Sequence, residues 1–333
     1  MIDELKPLIE SIERYDSFFL VSHIDPDGDA IGSLIAVAEL LERKGKKVIA
    51  YDRDGVPEIY QFLKGAGRVV STLPEGSSDK GDFDVAIFLE CPNTTRAGKQ
   101  CMEFVEGIPE WINLDHHHEN AQFGRINIVK TELCAVGEMI YELYQAMDEP
   151  ISEVVAEALY TAIMTDTGSY KYSNTSARCH DISARLIELG ARPYNVYQEV
   201  FERLSPQAAL ISARAHATLE IEDKIACITV TRKMLEEVGA TAEDTHDVVS
   251  YGRAIAGVEV ALLFRETESD IKVSLRAKNN IDVSKIAGVF DGGGHKKAAG
   301  CNIKGTMDEV KAKIFAAVRK ALAEKENGET NGS

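Results

Sequence analysis

Three short apolar runs, each breaking off into a cluster of acidic residues or histidines, do most to restrict how this chain can fold. Phe18-Phe19-Leu20-Val21 leads into Ser22-His23, Val85-Ala86-Ile87-Phe88-Leu89 into Glu90, and Trp111-Ile112-Asn113-Leu114 into Asp115-His116-His117-His118. The runs are too short for helices and read as buried strands. Amphipathic helical patterns accompany them: Met1 to Tyr15, and Ala30 to Arg43 with Ile31, Leu34, Ile35, Ala38 and Leu41 on one face and Gly45 as its stop. Lys47 to Tyr51 reads as a further strand. Strands alternating with helices predict an α/β fold with a mostly parallel sheet flanked by helices. In such sheets ligands bind beyond the carboxyl ends of the strands. The three polar clusters are therefore expected to converge on one sheet edge.

Helical patterns follow at about 133–147, 152–164, 176–189 and 194–202, and then the texture changes. Strands are expected at 218–221, 225–231, 258–265 and 271–276, with helices near 232–238 and 307–323. A length of 333 residues suits two domains. The expected division is a first domain at 1–190, a helical connector at 191–215, a smaller α/β domain at 216–325 and a disordered tail at 326–333. No apolar run is long enough to cross a bilayer and the N-terminus is not signal-like, so a cytoplasmic protein with no membrane partner is expected. Six scattered cysteines without a C-x-x-C pair suggest buried free thiols. A formal net charge of −17 opposes broad binding of long nucleic acid, so an anionic substrate should be small.

The segment Ser22-His23-Ile24-Asp25-Pro26-Asp27-Gly28-Asp29 puts an imidazole and three carboxylates at a strand end. That density is costly without a neutralising cation, although Asp25-Pro26-Asp27-Gly28 is also good turn chemistry and Asp29 could cap the next helix. Asp115-His116-His117-His118 suits imidazole coordination of Mn or Zn. Asp166, after an apolar helical stretch, would alone be an ordinary turn residue. Together His23, Asp27, Asp29, His116 and Asp166 offer enough donors for two adjacent divalent ions, which polarise a phosphoryl oxygen and lower the pKa of a shared water. His117 would then stabilise transition-state charge or protonate the leaving oxygen.

With His23-x-x-x-Asp27-x-Asp29, Asp115-His116-His117, Asp166 in a Thr-Asp-Thr-Gly context and Gly292-Gly293-Gly294-His295, the chain resembles the DHH/DHHA1 phosphoesterase family over nearly its whole length. It looks most like the bifunctional oligoribonuclease and 3′-phosphoadenosine-5′-phosphate phosphatase group. The resemblance implies a DHH catalytic domain followed by a DHHA1 substrate-binding domain, with the active site in a cleft between them. It implies metal ligands at His23, Asp27, Asp29, His116 and Asp166, catalytic roles for His117 and Asp115, and substrate contacts from Arg265, Arg276, Gly293, Gly294 and His295. Two Mn²⁺ are the usual ions, with Mg²⁺, Co²⁺ and Zn²⁺ as alternatives, and a homodimer through the first domain is implied as well. Two positions depart from the family pattern. Glu90 stands where an Asp normally bridges the two metals, and Lys171 where relatives often carry Arg, which loses the bidentate grip on phosphate.

The residues of the second domain admit two readings each. Gly292 to Gly294 leave backbone N–H groups open to a phosphate, with His295, Lys296 and Lys297 adding charge, or they form a flexible connecting loop. Arg265 and Arg276 could hold a phosphate bidentately or be surface arginines. The expected function is hydrolysis of very short RNA oligonucleotides to mononucleotides, with 3′-phosphatase activity on phosphoadenosine phosphate. The alternatives are a phosphodiesterase for cyclic di-AMP or linear dinucleotides, and a non-catalytic nucleotide-binding regulator.

Overall fold

The computed structural model describes residues 2–74, 82–279 and 281–330. The chain divides into two compact units, Met1–Arg203 and Leu204–Ser333. The first contains α1 (Ile2–Arg14), β1 (Ser17–Val21), α2 (Gly28–Arg43), β2 (Lys47–Tyr51), β3 (Val69–Val70), β4 (Val85–Leu89), α3 (Lys99–Val105), β5 (Glu110–Asp115), β6 (Ile126–Val129), α4 (Val136–Ala146), α5 (Glu153–Asp166), α6 (Ala177–Glu188) and α7 (Pro193–Phe201). Its six strands are all parallel, in the order β3-β2-β1-β4-β5-β6. The order reverses between β1 and β4, the place where doubly wound sheets open a crevice.

Alternation along the strands builds two unequal cores. Phe18 and Leu20 of β1 and Ile87 of β4 face α1, α2, α4, α5 and α6 in the larger one. Phe19, Val21 and Phe88 face the other way, into a smaller aromatic layer covered by α3. The short elements β3, β6 and α3 had no expectation in the sequence: a two-residue strand, a half-buried edge strand and a seven-residue helix are too brief for a periodic signal. Close approach of α2 to α5 depends on glycine. A Cβ on Gly32 would lie 2.4 Å from the Ala158 carbonyl oxygen, and one on Gly28 would strike the Thr165 side chain. This contact sets the start of α2 beside the end of α5.

The second unit contains α8 (Pro206–His216), β7 (Glu220–Glu222), β8 (Ile225–Val230), α9 (Arg232–Val238), α10 (Val248–Ala254), β9 (Val260–Glu266), β10 (Ile271–Ala277), α11 (Val283–Gly288), β11 (Gly293–His295), β12 (Ala298–Ile303) and α12 (Met307–Thr330). Its sheet runs β11-β12-β10-β9-β8-β7, antiparallel except for the β8–β9 pair. One face packs on α11 and α12, and α8 and α10 cover the other over β8 and β9. The glycine-rich motif is strand, not loop: Gly293, Gly294 and His295 pair with Gly300, Ala299 and Ala298 of β12. Of the tail expected at 326–333, the backbone as far as Thr330 continues α12, following the Ala, Glu and Lys of 321–326 that favour helix. The last three residues lie outside the described residues. All six cysteines are free and buried, and among the described residues no helix is long and apolar enough to cross a membrane.

Candidate metal centre

The reversal point of the first sheet gathers His23 from the end of β1, Glu90 from β4 and His116 from β5, while the α2–α5 contact adds Asp27, Asp29 and Asp166. Asp27 is the N-cap of α2, accepting from the backbone N–H groups of Asp29 and Ala30 at 3.0 Å. The cap expected at Asp29 thus belongs to Asp27. Asp29 is fully buried and reaches across to the start of α4, accepting from Val136 N at 2.5 Å, Gly137 N at 2.9 Å and Ser33 Oγ at 3.1 Å. A helix N-terminus stabilises this anion.

Glu90 joins the two halves of the cluster. It leaves β4 at φ +58, a conformation that costs energy for a residue other than glycine and that gathers at functional sites. Its carboxylate is divided between two imidazoles: Oε2 lies 3.6 Å from His23 Nε2, and Oε1 lies 3.7 Å from His116 Nε2. His23 Nε2 is 4.0 Å from Asp27 Oδ1, and His116 Nε2 is 3.4 Å from Asp166 Oδ2. The donors accordingly form overlapping groups, with His23, Asp27 and Glu90 in one and Asp29, His116 and Asp166 in another; Glu90 also groups with His116 and His117. The longer Glu side chain therefore reaches both imidazoles.

Several observations fit divalent cations here. Glu90 Oε2 and His116 Nε2 are buried without a hydrogen-bond partner, an arrangement that is expensive unless a cation completes it. The other ring nitrogens are occupied, His23 Nδ1 at 2.8 Å from the Ile24 carbonyl and His116 Nδ1 at 3.2 Å from the Leu133 carbonyl. Donation from Nδ1 leaves each Nε2 lone pair facing the acids, as ligation requires. Burial, and then repulsion from Asp27 and Asp29, holds the Glu90 carboxyl well above its ordinary range. Burial and the Asp29 and Asp27 charges push Asp166 up to about 8, and burial likewise raises Asp29. Burial works against a charged His116, yet Glu90 and Asp29 raise it to about 8. The cluster is short of positive charge.

Asp115 stands behind this layer. It is fully buried, and its Oδ1 accepts from His117 Nδ1 at 2.8 Å and His116 N at 2.9 Å, while Oδ2 accepts from Asn120 Nδ2 at 2.5 Å. Burial opposes its charge, but the His117 and Asn120 hydrogen bonds keep the carboxyl below its ordinary range, and the same bond raises His117. Asp115 holds no place among the grouped donors and instead orients His117. Sequence reasoning passed over Asn120, five residues beyond Asp115, and also Arg96, whose Nη2 lies 3.1 Å from His23 Nδ1. Lys171 is exposed in the turn after α5.

In the second unit, the half of the sheet face left uncovered carries a depression of about 450 Å³ lined by Arg265, Lys272, Ser274, Arg276, Gly293, Gly294 and Gly300. Partial burial lowers the pKa of both arginines. Lys272, Ser274 and Arg276 share it because alternate residues of β10 face one way. His295, expected beside them, is exposed and does not line it.

Comparison with known proteins gives this geometry a family. Residues 17–163 match the DHH family N-terminal domain, and residues 223–324 match the DHHA1 domain. The chain is a DHH protein, a DHH family N-terminal domain followed by a DHHA1 domain. This DHH protein is similar to two relatives named bifunctional oligoribonuclease and PAP phosphatase NrnA. The relative from Thermus thermophilus is 29% identical over 91% of this chain and 90% of its own length, and that from Bacillus subtilis 26% over 89% and 92%. In fold it is similar to an exopolyphosphatase-related protein from Bacteroides fragilis, with a TM-score of 0.85 and 24% identity over 97% of this chain and 96% of that one. It is also similar in fold to RecJ from Thermus thermophilus in complex with Mn²⁺, with a TM-score of 0.51 and 13% identity over 96% of this chain and 54% of that one.

Proposed function

We propose that this DHH protein hydrolyses the phosphodiester bonds of very short RNA oligonucleotides, releasing mononucleotides, and removes the 3′-phosphate of phosphoadenosine phosphate. The observation that carries the reading is the Glu90 carboxylate shared between His23 and His116 with orphaned polar atoms on both sides. His23, Asp27 and Glu90 would hold one divalent ion and Glu90, Asp29, His116 and Asp166 a second, with Mn²⁺ suited to this mixture of imidazole and carboxylate. Two such ions supply Lewis acidity toward the phosphoryl group and activate water. Asp115 fixes His117 with a proton on Nδ1, which turns Nε2 away from Asp115 and frees it to serve the leaving oxygen. The names of the relatives from Thermus thermophilus and Bacillus subtilis support the choice of substrates. Arg265, Arg276 and the open backbone at Gly293 make the second unit suited to a phosphate-bearing ligand.

The test is digestion of a labelled RNA dinucleotide beside a long RNA, phosphoadenosine phosphate and cyclic di-AMP in Mn²⁺, with His116→Ala and Asp166→Asn as controls. Rapid cleavage of the dinucleotide, slow attack on the long RNA and loss of both in the controls are expected. Preference for cyclic di-AMP would transfer the proposal to a cyclic-dinucleotide phosphodiesterase, and nucleotide binding without turnover to a regulator.

A further inference from the structure

The loop after β4 carries a cation to the ligand cluster. Arg96 belongs to a short 3-10 turn, Thr94–Ala97, and its carbonyl accepts from Ile24 N at 2.7 Å, which ties this loop to the residue beside His23. Its guanidinium Nη2 lies 3.1 Å from His23 Nδ1. That nitrogen already has a partner, the Ile24 carbonyl oxygen at 2.8 Å. A carbonyl oxygen only accepts, so the proton sits on Nδ1, and Nε2 turns its lone pair toward Asp27 and Glu90. Arg96 then brings an N–H against an N–H, and no hydrogen bond joins them. The opposite tautomer would satisfy Arg96 but put a proton on Nε2, where ligation needs a lone pair. Nor does Arg96 form an ion pair among the described residues, although acids crowd the other side of His23. A half-buried guanidinium with its fork unused stands at the edge of a cluster built to gather cations.

We propose that Arg96 binds the non-bridging oxygens of the phosphoryl group that reacts at this cluster. The inference rests on the phosphoesterase reading and deepens it by naming the residue that holds the reacting phosphate. The planar fork offers parallel donors that match two phosphate oxygens, a geometry a lysine does not reproduce.

The experiment is calorimetric titration of wild type, Arg96→Gln and Arg96→Lys, first with Mn²⁺ and then, on the loaded proteins, with inorganic phosphate. Mn²⁺ affinity is expected to stay within about twofold, because Ile24 and not Arg96 sets the His23 tautomer. Phosphate should bind roughly tenfold or more weakly to Arg96→Gln, with partial recovery in Arg96→Lys. KM for the dinucleotide should rise in parallel. Unchanged phosphate affinity in Arg96→Gln would overturn the proposal. So would a loss of Mn²⁺ affinity as large as the loss of phosphate affinity, since Arg96 would then only brace His23. If the wild type cleaves no phosphoester yet binds phosphate in an Arg96-dependent way, the phosphoesterase reading falls and the assignment of Arg96 stands.

Discussion

Glu90 concentrates the conflict between folding and function. Its carboxyl is raised because burial and the Asp27 and Asp29 charges disfavour its ionised form. A group raised in this way loses stability on ionisation, so at neutral pH the metal-free fold carries a penalty that a neutral side chain of the same shape avoids. Glu90→Gln is therefore expected to melt a few degrees above wild type in a chelator, and to gain much less than wild type when Mn²⁺ is added. Calorimetric scans with and without Mn²⁺ decide the matter. A variant that melts lower in chelator would mean that protein donors, not an awaited cation, satisfy this carboxylate. The candidate ligands were legible in the sequence where acids and imidazole crowd together at a strand end, as His23, Asp27 and Asp29 do. Arg96 and Asn120 were not. Their value lies in loop conformations that bring Arg96 back to His23 and Asn120 back to Asp115, and nothing in residue spacing announces that return.

Among the secondary-structure elements, the hairpin of β11 and β12 was the least legible, because glycine and alanine carry no apolar alternation. Its glycines differ in purpose. A Cβ on Gly292 would come within 2.3 Å of the Gly300 carbonyl oxygen, whereas one on Gly293 would meet nothing within 4 Å. Gly292→Ala should destabilise the second unit by about 2 kcal/mol or more, as overpacking against backbone does. Gly293→Ala should leave the melting temperature nearly unchanged and raise KM, since its methyl would enter the depression that Gly293 lines. Equal destabilisation by both, measured in denaturant, would remove the case for an open floor. The start of β4 has its own fastening. Asp84 accepts from Ser17 Oγ at 2.7 Å, Ser17 N at 3.0 Å and Asp16 N at 3.2 Å, and these bonds, with Ser17 Oγ foremost, hold its carboxyl below the ordinary range. A depressed carboxyl stabilises the fold above its unfolded pKa, and that contribution is lost as pH falls through the folded value. The melting difference between wild type and Asp84→Asn should thus be largest near neutral pH and shrink below about pH 4. A difference that stays constant down to pH 3 or so would assign the bonds no charge dependence.

At the scale of the whole molecule, the candidate metal donors and the arginine-lined depression fall to different units. Every grouped metal donor lies within Met1–Arg203, which has its own two cores, and the Arg265–Arg276 depression lies within Leu204–Ser333, which has two of its own. Two units were readable from the change of texture near residue 216, because local pattern follows the local core, but the division falls earlier, between Arg203 and Leu204, since Ile211 and Ala215 of α8 pack into the second unit. The parallel sheet was readable for the same reason. Its strand order was not, since order depends on contacts far apart in sequence. A fragment of residues 1–203 should therefore fold cooperatively and bind two Mn²⁺ with nearly the affinity of the full chain. It should still cleave an activated phosphodiester such as a nitrophenyl ester, whose good leaving group needs little help from bound nucleotide. Hydrolysis of the RNA dinucleotide should fall by about a hundredfold or more, because binding energy from non-reacting parts of a substrate is used at the reacting centre. Circular dichroism, Mn²⁺ titration and the two turnover assays on one preparation separate the contributions. A folded fragment that binds Mn²⁺ and cleaves the dinucleotide as fast as the full chain would deprive the second unit of its part in substrate selection, and a folded fragment without Mn²⁺ affinity would take the metal centre away from the first.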